Sequence, residues 1–265
     1  MHPMVQYALR AARSAAEQFV RIRERIDIAH EERKIDQLLE DAARNAETLI
    51  VRQLARGYPQ HGVAGRFTPH RDGEGEGRDM LWRIEPFHGY SNLSTGGNGF
   101  ALSLVCLVKG RPEHAVVICP FSDDEYLVSR GRGAQHNGKR IRVSKATQVE
   151  GIRLAMGLPE RWLRSRHLPT YLTLAQQLGP RIDTLTASGC PLLDIAELAA
   201  GPPPAGPRLL ACQHGAAARG GARRRYRQCR HGVGQGGGNE APRPRRNPGL
   251  LRGLRPGRAG PPLAR

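Results

Sequence analysis

The stretch LWRIEPFHGYSNL, residues 81–93, carries the strongest structural signal in the 265-residue chain. Its apolar start predicts a short buried strand, and Pro86 and Gly89 predict a turn after it. Glu85 and His88 lie in this turn, three residues apart, and both side chains are able to bind a metal ion. Two ligands without a third do not make a zinc site, and the other histidines lie elsewhere in the sequence.

On both sides of this stretch the sequence has alternating helical and strand patterns. Apolar residues at three- and four-residue steps predict amphipathic helices at 3–26 and 35–57, and helical patterns return at 161–178 and 190–200. Short apolar and β-branched runs predict strands at residues 80–84, 100–108, 114–118, 125–129, 139–143 and 152–157. Together these elements predict a meander of antiparallel strands packed against helices.

The stretch also resembles the signature of the inositol monophosphatase family, W-[IV]-I-D-P-[LI]-D-G-T-[TS]-N-F. The matching residues are Trp82, Ile84, Pro86, Gly89, Ser91 and Asn92. Collinear segments resemble the bacterial inositol-1-monophosphatase branch, among them YPQH at 58–61, KGRPEHAVV at 109–117 and LLDIAELAAG at 192–201. The resemblance covers residues 1 to about 201.

This resemblance implies an α+β fold of the layered α/β type, in which layers of helices and sheets alternate. We expect residues 1–145 to form one domain, in which helices pack on an antiparallel sheet. This domain contains the stretch at 81–93, which we interpret as a degenerate form of the family's metal-site motif. Residues 146–201 would begin a second α/β domain, and residues 202–265 would form a disordered tail, so that the C-terminal part of the fold is incomplete.

The family resemblance implies Mg²⁺-dependent hydrolysis of a small phosphorylated substrate, inositol 1-phosphate. In the family, carboxylates hold the Mg²⁺ ions. Glu85 and His88 stand at positions that match two family aspartates. The substrate-binding positions implied by the resemblance are Gly89, Tyr90, Ser91 and Asp194.

Most of the metal-binding carboxylates implied by the resemblance are replaced. The family's G-E-E loop falls at residues 65–68, GRFT, where Arg66 would repel Mg²⁺. Glu85 is one methylene longer than aspartate, and the imidazole of His88 suits hard Mg²⁺ poorly. The upstream threonine and aspartate correspond to Glu40 and Ala43, although a small shift would bring in Asp41.

The last metal aspartate of the family lies in a W-D motif beyond residue 201, where this chain has no aspartate. The sequence therefore predicts a degenerate active site without a tight Mg²⁺ site and without an assignable catalytic residue. Three hypotheses remain open. The chain is a pseudoenzyme or the product of a decaying gene, a surviving phosphatase with an altered metal site that includes Glu85, or a non-catalytic binding protein of the transcription machinery, RNA polymerase or RNA.

The last quarter of the chain, residues 202–265, has a different composition. It contains 14 arginines, no lysine or aspartate and a single glutamate, and so carries +13 of the net charge of +17. Gly, Pro, Arg and Ala dominate it and no apolar period persists, which predicts disorder. Two interpretations stay open: an arginine-rich arm that binds nucleic acid through phosphates, or a frameshift near codon 201 of a G/C-rich gene, which we favour.

Other features indicate a cytoplasmic protein. No apolar run is long enough for a membrane helix, and the N-terminal residues do not have the pattern of a secretory signal. The cysteines are odd in number and widely spaced, which is typical of reduced thiols: Cys106, Cys119, Cys190, Cys212 and Cys229. The family resemblance also implies a homodimer.

Two further segments are candidates for binding sites. We interpret the acidic cluster Asp123, Asp124 and Glu125 as a solvated loop. Residues 94–98, STGGN, are glycine-rich and would allow backbone N–H groups to hold a phosphate, although such loops are common.

Overall fold

The structure, a computed structural model, describes residues 1–143, 150–156, 168–201 and 208–212. The helices in these ranges are α1 (Pro3–Ile22), α2 (Ile26–Glu31), α3 (Ile35–Gly57), α4 (Tyr90–Ser94), α5 (Leu168–Leu178) and α6 (Pro191–Ala200). The strands are β1 (Gly62–Ala64), β2 (Met80–His88), β3 (Ala101–Val108), β4 (Arg111–Cys119), β5 (Asp124–Ser129), β6 (Gly133–His136), β7 (Lys139–Ile141), β8 (Ile152–Met156), β9 (Thr184–Thr186) and β10 (Arg208–Cys212).

Strands β1 to β7 form one sheet in sequence order. The β1 strand pairs with β2 in parallel, and every later pair in this sheet is antiparallel, which confirms the predicted meander. The register shifts once within β2: Glu85 lies opposite Ser103, whereas His88 lies opposite Ala101. This bulge contains Pro86, which has no N–H to donate to the ladder, so β2 bends where its side chains reach the candidate site.

One face of the large sheet is covered by α1 and α3. The side chains that meet there alternate along the strands with those of the opposite face, as the two-residue period of a strand requires. Fully buried aromatic side chains fill the centre of this core: Phe19, Trp82 and Phe100. The apolar stripes of the two predicted amphipathic helices are therefore buried against the large sheet.

The other face of the large sheet packs against α6, through contacts among Val117, Tyr126 and Ala196. The opposite side of α6 places Leu198 against Ala155 of β8, the central strand of a parallel three-stranded sheet ordered β10-β8-β9. On the far side of that sheet, α5 packs against β8. Helix and sheet layers therefore alternate, which confirms the fold class implied by the resemblance.

Some boundaries differ from the sequence-based predictions. The first helix stops at Ile22, and a 3₁₀ turn over Arg23–Arg25 leads into α2. At this break Arg23 donates to Asn98 Oδ1 at 2.8 Å, a tertiary contact that helical periodicity does not reveal. The strands β1 and β9 were not predicted, because three residues are too few to show a period.

Within the tail for which disorder was predicted, the structure describes only β10, which pairs in parallel with β8. The short apolar run at 209–211 is compatible with a strand, but the composition of the tail as a whole concealed it. The rest of the tail and the N-terminal half of the helix predicted at 161–178 lie outside the described residues. The proposed division at residues 145 and 201 stays a prediction.

The structure describes the side chains of three of the five cysteines, and all three are free and buried: Cys106, Cys119 and Cys190. Burial raises the pKa of Cys106 and of Cys119 to about 12 and that of Cys190 to about 11. These thiols are therefore inert side chains of the core at neutral pH. No helix in the described ranges combines the length and the apolar composition that crossing a membrane requires.

Asn92 connects the turn after β2 to the segment that leads into α6. Its Nδ2 donates to the carbonyl oxygens of Gly99 and Ser188, each at 2.7 Å. Ser188 lies between β9 and α6, so a single amide joins the large sheet to the layer beneath it.

We expect Asn92→Asp to lower the free energy of unfolding by about 2 kcal/mol, because a carboxylate would place acceptors against two carbonyl oxygens. Asn98→Asp is the matched control, since the Asn98 side chain accepts from Arg23 and an aspartate keeps that role. The control should change the free energy by less than about 0.5 kcal/mol. Urea unfolding midpoints measure both variants, and equal losses would contradict the assigned role of Asn92.

Candidate functional site

The turn after β2 is shaped by Gly89. Its backbone is left-handed, with φ 86° and ψ 44°. A Cβ atom at this position would lie 2.2 Å from the carbonyl oxygen of Gly99, so any other residue would be strained and would clash. Gly89 thus fixes the direction in which α4 leaves the sheet and the placement of Tyr90.

The loop at residues 65–68 is held by a buried carboxylate on α3. Glu47 is fully buried and accepts hydrogen bonds from the backbone N–H groups of Arg66, Phe67 and Thr68, at 2.8, 2.9 and 2.7 Å. It also accepts from Thr68 Oγ1 at 2.7 Å. A Cβ atom on Gly65 would lie 2.1 Å from Glu47 Oε1, so glycine is needed where the loop passes the carboxylate.

The side chains that this loop presents are a cation and an aromatic ring. The guanidinium of Arg66 lies 5.6 Å from the ring centroid of Phe67, and that of Arg44 on α3 lies 4.9 Å from it. Glu85, on β2, is half-buried and accepts from the N–H of Phe87 at 3.2 Å. Burial raises the pKa of the Glu85 carboxyl, and the charge of Arg66 partly offsets that rise.

His88 is bonded within the sheet. Its Nε2 lies 2.9 Å from the hydroxyl oxygen of the buried Ser103 on β3. Burial lowers the pKa of His88 to about 4, so the imidazole is neutral at neutral pH. One of its two ring nitrogens is already engaged by a protein hydroxyl.

Tyr90, at the start of α4, donates its hydroxyl to Asp36 in the first turn of α3. An open cavity of about 490 Å³ lies at this junction. Its lining combines aromatic rings with charged groups: Asp36, Glu40, Arg66, Phe67, Phe87 and Tyr90. The structure thus places Tyr90, Arg66 and Phe67 on the wall of one cavity, and the charge of Arg66 also acts on the Glu85 carboxyl. The roles of Glu85 and Tyr90 in binding stay predictions.

The three other predicted substrate-binding residues, Gly89, Ser91 and Asp194, do not line this cavity. Ser91 is exposed on α4, and its carbonyl accepts from the hydroxyls of Ser94 and Thr95. Asp194 is buried in α6, where burial raises the pKa of its carboxyl and a bond from Ser188 partly offsets the rise. One oxygen of Asp194, Oδ2, has no hydrogen-bond partner among the described residues. The roles of these residues in substrate binding stay predictions.

The model of the inositol monophosphatase family matches residues 1–202 of the chain. The chain belongs to the inositol monophosphatase family. The match ends one residue after Gly201, where the composition changes.

Several bacterial relatives share the matched region with this family member. The "Nus factor SuhB" of Pseudomonas aeruginosa is 41% identical over 202 residues, which are 76% of this chain and 74% of that protein. The "Nus factor SuhB" of Escherichia coli K12 is 33% identical over 204 residues, with the same two shares.

Solved structures of the family show the same fold. The extragenic suppressor protein suhB from Bartonella henselae has a TM-score of 0.64 at 23% identity, and the match covers 76% of each chain. The inositol monophosphatase from Anabaena has a TM-score of 0.61 at 21% identity, with 75% of this chain and 71% of that one covered. At these identities the likeness supports the fold alone.

Two segments of this family member differ from the sequence-based interpretation. The acidic cluster is not a solvated loop at Asp124 and Glu125, which begin β5. His136 Nε2 lies 2.6 Å from Asp124 Oδ1, and Glu125 accepts two hydrogen bonds from Arg13, at 2.6 and 2.8 Å. Sequence reasoning missed these pairings because their partners are distant along the chain.

The glycine-rich segment at 94–98 is also used internally. The N–H groups of Thr95 and Gly97 donate to the carbonyl oxygen of Asn92, and that of Gly96 donates to Leu93. These donors close the turn after α4, so they are not directed at a ligand. The structure therefore does not support a phosphate cradle at this segment.

Sequence reasoning also missed Glu47. This residue lies within the apolar stripe of α3, between the buried Ala46 and Ile50, and an acidic residue there is a signal for a specific buried partner. Its partner is the backbone of the loop at 65–68, which no side-chain pattern identifies.

We expect Glu47→Gln to lower the free energy of unfolding by about 3 kcal/mol, because the amide replaces one charged acceptor by a donor that faces N–H groups. The control is Glu17→Gln, which removes an exposed carboxylate paired with Arg21 and should cost less than about 0.5 kcal/mol. Chemical denaturation measures both. A loss in Glu47→Gln no larger than that in the control would show that the buried carboxylate does not stabilise the loop.

Proposed function

We propose that this chain is a non-hydrolytic member of the inositol monophosphatase family, in which the metal-dependent phosphatase chemistry has been lost. The observation that carries the proposal is the identity of the side chains in the loop at residues 65–68. Glu47 fixes this loop, and the positions that match the family's metal-binding glutamates are Arg66 and Phe67. Neither a guanidinium nor a phenyl ring is a ligand for Mg²⁺.

Electrostatics support the proposal. At 4 Å and an effective dielectric constant of about 20, two unit charges interact by about 4 kcal/mol. Replacing a carboxylate by the guanidinium of Arg66 converts an attraction for a cation into a repulsion. In addition, the described residues contain no group of three or more His, Cys, Asp or Glu side chains placed to share a metal ion.

The remaining polar groups do not fit a hard divalent ion. The carboxyl of Glu85 already accepts from Phe87, and burial raises its pKa. The imidazole of His88 is a nitrogen donor suited to transition metals rather than to Mg²⁺, and its Nε2 contacts Ser103. A single carboxylate of this kind does not supply the oxygen ligands that Mg²⁺ requires.

We expect the purified chain to release no phosphate from inositol 1-phosphate above the buffer blank, with or without Mg²⁺ or Mn²⁺. The Anabaena inositol monophosphatase, assayed in parallel, is the positive control. Metal-dependent turnover by the chain would refute the proposal and favour the rival hypothesis, a phosphatase with an altered metal site that includes Glu85.

The same preparation separates loss of metal binding from loss of a later step. If the metal site is lost, the melting temperature should not change when Mg²⁺ is added, because a ligand that binds the folded state raises it. A rise with Mg²⁺ but without turnover would place the defect after metal binding.

A second candidate function is non-catalytic binding to the transcription machinery, either RNA polymerase or RNA. It is favoured by the relatives called Nus factors, which are 41% and 33% identical to this chain over about three quarters of its length. The tail, with 14 arginines and one glutamate, would contribute phosphate contacts if it is a real basic arm.

We expect the full chain to retain RNA at about 50 mM salt and to lose most of it at about 200 mM salt, since phosphate contacts release counterions. A variant without residues 213–265, which keeps β10 and removes 13 of the 14 arginines of the tail, should lose the salt-dependent part. Binding that changes with neither the salt nor the truncation would rule out an electrostatic arm, and purified RNA polymerase in the same assay tests a protein partner.

A further inference from the structure

Helix α6 covers only part of its side of the large sheet. Residues that lie directly opposite each other on neighbouring strands share a face, so the strand register defines rows of side chains across the sheet. The row that contains Ser103, Val117 and Tyr126 is buried at these three positions. Val117 and Tyr126 pack together with Ala196 of α6, so the helix lies over this row.

The adjacent row on the same side, nearer the start of β2, is partly exposed. The register joins one residue from each of five strands in it: Arg83, Val105, Ala115, Val128 and Ala134. Val128 is 39% exposed, and no apolar member of this row lies in a hydrophobic cluster of the described residues. The same holds for Leu81 and Leu107, which pair in the row beyond. We call these two rows the open face.

The open face has the dimensions of one helix. Neighbouring strands lie about 4.8 Å apart, so a row from β2 to β6 is about 19 Å long, and successive rows are about 7 Å apart. A helix of about 13 residues has this length and is about 10 Å wide. An amphipathic helix lying across the strands would therefore place its apolar stripe along both rows.

The border of the open face is positively charged. Arg83 ends the first row on β2, and Lys139 on β7 lies opposite His136 on the same side of the sheet. Both are exposed, and neither forms an ion pair with another described residue. Glu85, two residues along β2 from Arg83, is half-buried in the covered row. Two carboxylates at the same end of the sheet have cationic partners: Glu113 with Arg130 at 3.8 Å and Asp79 with Lys109 at 3.7 Å.

We propose that the open face is a docking surface for an acidic amphipathic helix of another protein. The apolar stripe of that helix would lie on Val105, Leu107 and Val128, and its carboxylates would meet Arg83 and Lys139. Electrostatic complementarity of this kind selects a partner more than it adds affinity. The inference goes beyond the proposed loss of hydrolysis, because no residue of the open face lines the 490 Å³ cavity.

Other occupants fit the open face less well. Residues 213–265 of the chain carry 13 arginines and one glutamate, so the cations of the border would repel them. A second copy of the chain would bring two sets of the same cations together. Single-stranded nucleic acid binds through rings on which its bases stack, whereas the apolar side chains of the open face are aliphatic.

Fluorescence anisotropy of the full chain with a labelled synthetic helix tests the proposal. The probe is a peptide of about 15 residues, with leucines at three- and four-residue steps and glutamates on the flanks of that stripe. It should bind at least about fivefold more tightly than a scrambled peptide of the same composition and than a peptide with lysines in place of the glutamates. Failure of the acidic helix to bind, or equal binding of either control peptide, would overturn the proposal.

The Val128→Glu variant should weaken binding of the acidic helix about fivefold or more, since it removes apolar contact and adds a like charge. The matched control is Val20→Glu, because Val20 is 49% exposed on α1 and lies outside the open face. The control should change the affinity less than about twofold. Equal weakening in both variants would show that the peptide responds to net charge and would contradict the assignment.

Arg83→Gln stays informative if Val128→Glu does not fold, which circular dichroism of each variant establishes. It should weaken binding about threefold, and Arg52→Gln, at an exposed position on α3, should change it less than about 1.5-fold. Two further outcomes would give the open face to another occupant and overturn the proposal. One is a dimer in gel filtration that Val128→Glu dissociates. The other is binding of oligouridine that both open-face variants weaken as much as they weaken peptide binding.

Discussion

The carboxylate of Glu47 holds the loop at residues 65–68 in place against α3. It is fully buried, and four hydrogen bonds from residues 66–68 provide its solvation in place of water. A buried charge of this kind is tolerated only when every bond is made, so it specifies one loop conformation. The backbone of the loop is therefore fixed against α3 whatever side chains it presents, and here those side chains are a guanidinium and an aromatic ring.

The turn after β2 is also fixed by contacts of its backbone. Gly89 keeps the left-handed backbone, and Asn92 keeps its bonds to Gly99 and Ser188, so the geometry that positions α4 is intact. His88 in the same turn is a neutral side chain bonded to Ser103. The fold of the family is therefore compatible with a glutamate at position 85 and a histidine at position 88.

The sequence was sufficient to predict the layers, because α1 and α3 have clear apolar stripes and the strands of the meander have apolar runs. The family resemblance assigned the loop at 65–68 and the turn containing Glu85 and His88 to one metal site, and that assignment stays a prediction. It did not predict β1 or β9, whose three residues show no period. A local pattern in the sequence carries no information on contacts between residues that are distant along the chain. Such contacts include the pairing of Arg13 with Glu125 and the hydrogen bonds from the loop at 65–68 to Glu47.

The order of the small sheet has a consequence for how the chain is made. Its central strand, β8, precedes both of its neighbours in the sequence, and it pairs with β9 and β10 in parallel. During synthesis, β8 leaves the ribosome with two open edges, and the second edge stays open until Arg208 has emerged. Parallel pairing over such separations forms late, because loop closure must be completed before any ladder bond is gained. The strands of the large sheet pair in sequence order, in parallel for β1 and β2 and through antiparallel neighbours after that. This sheet is complete well before then, so the nascent chain passes through a stage with one finished sheet and one exposed strand.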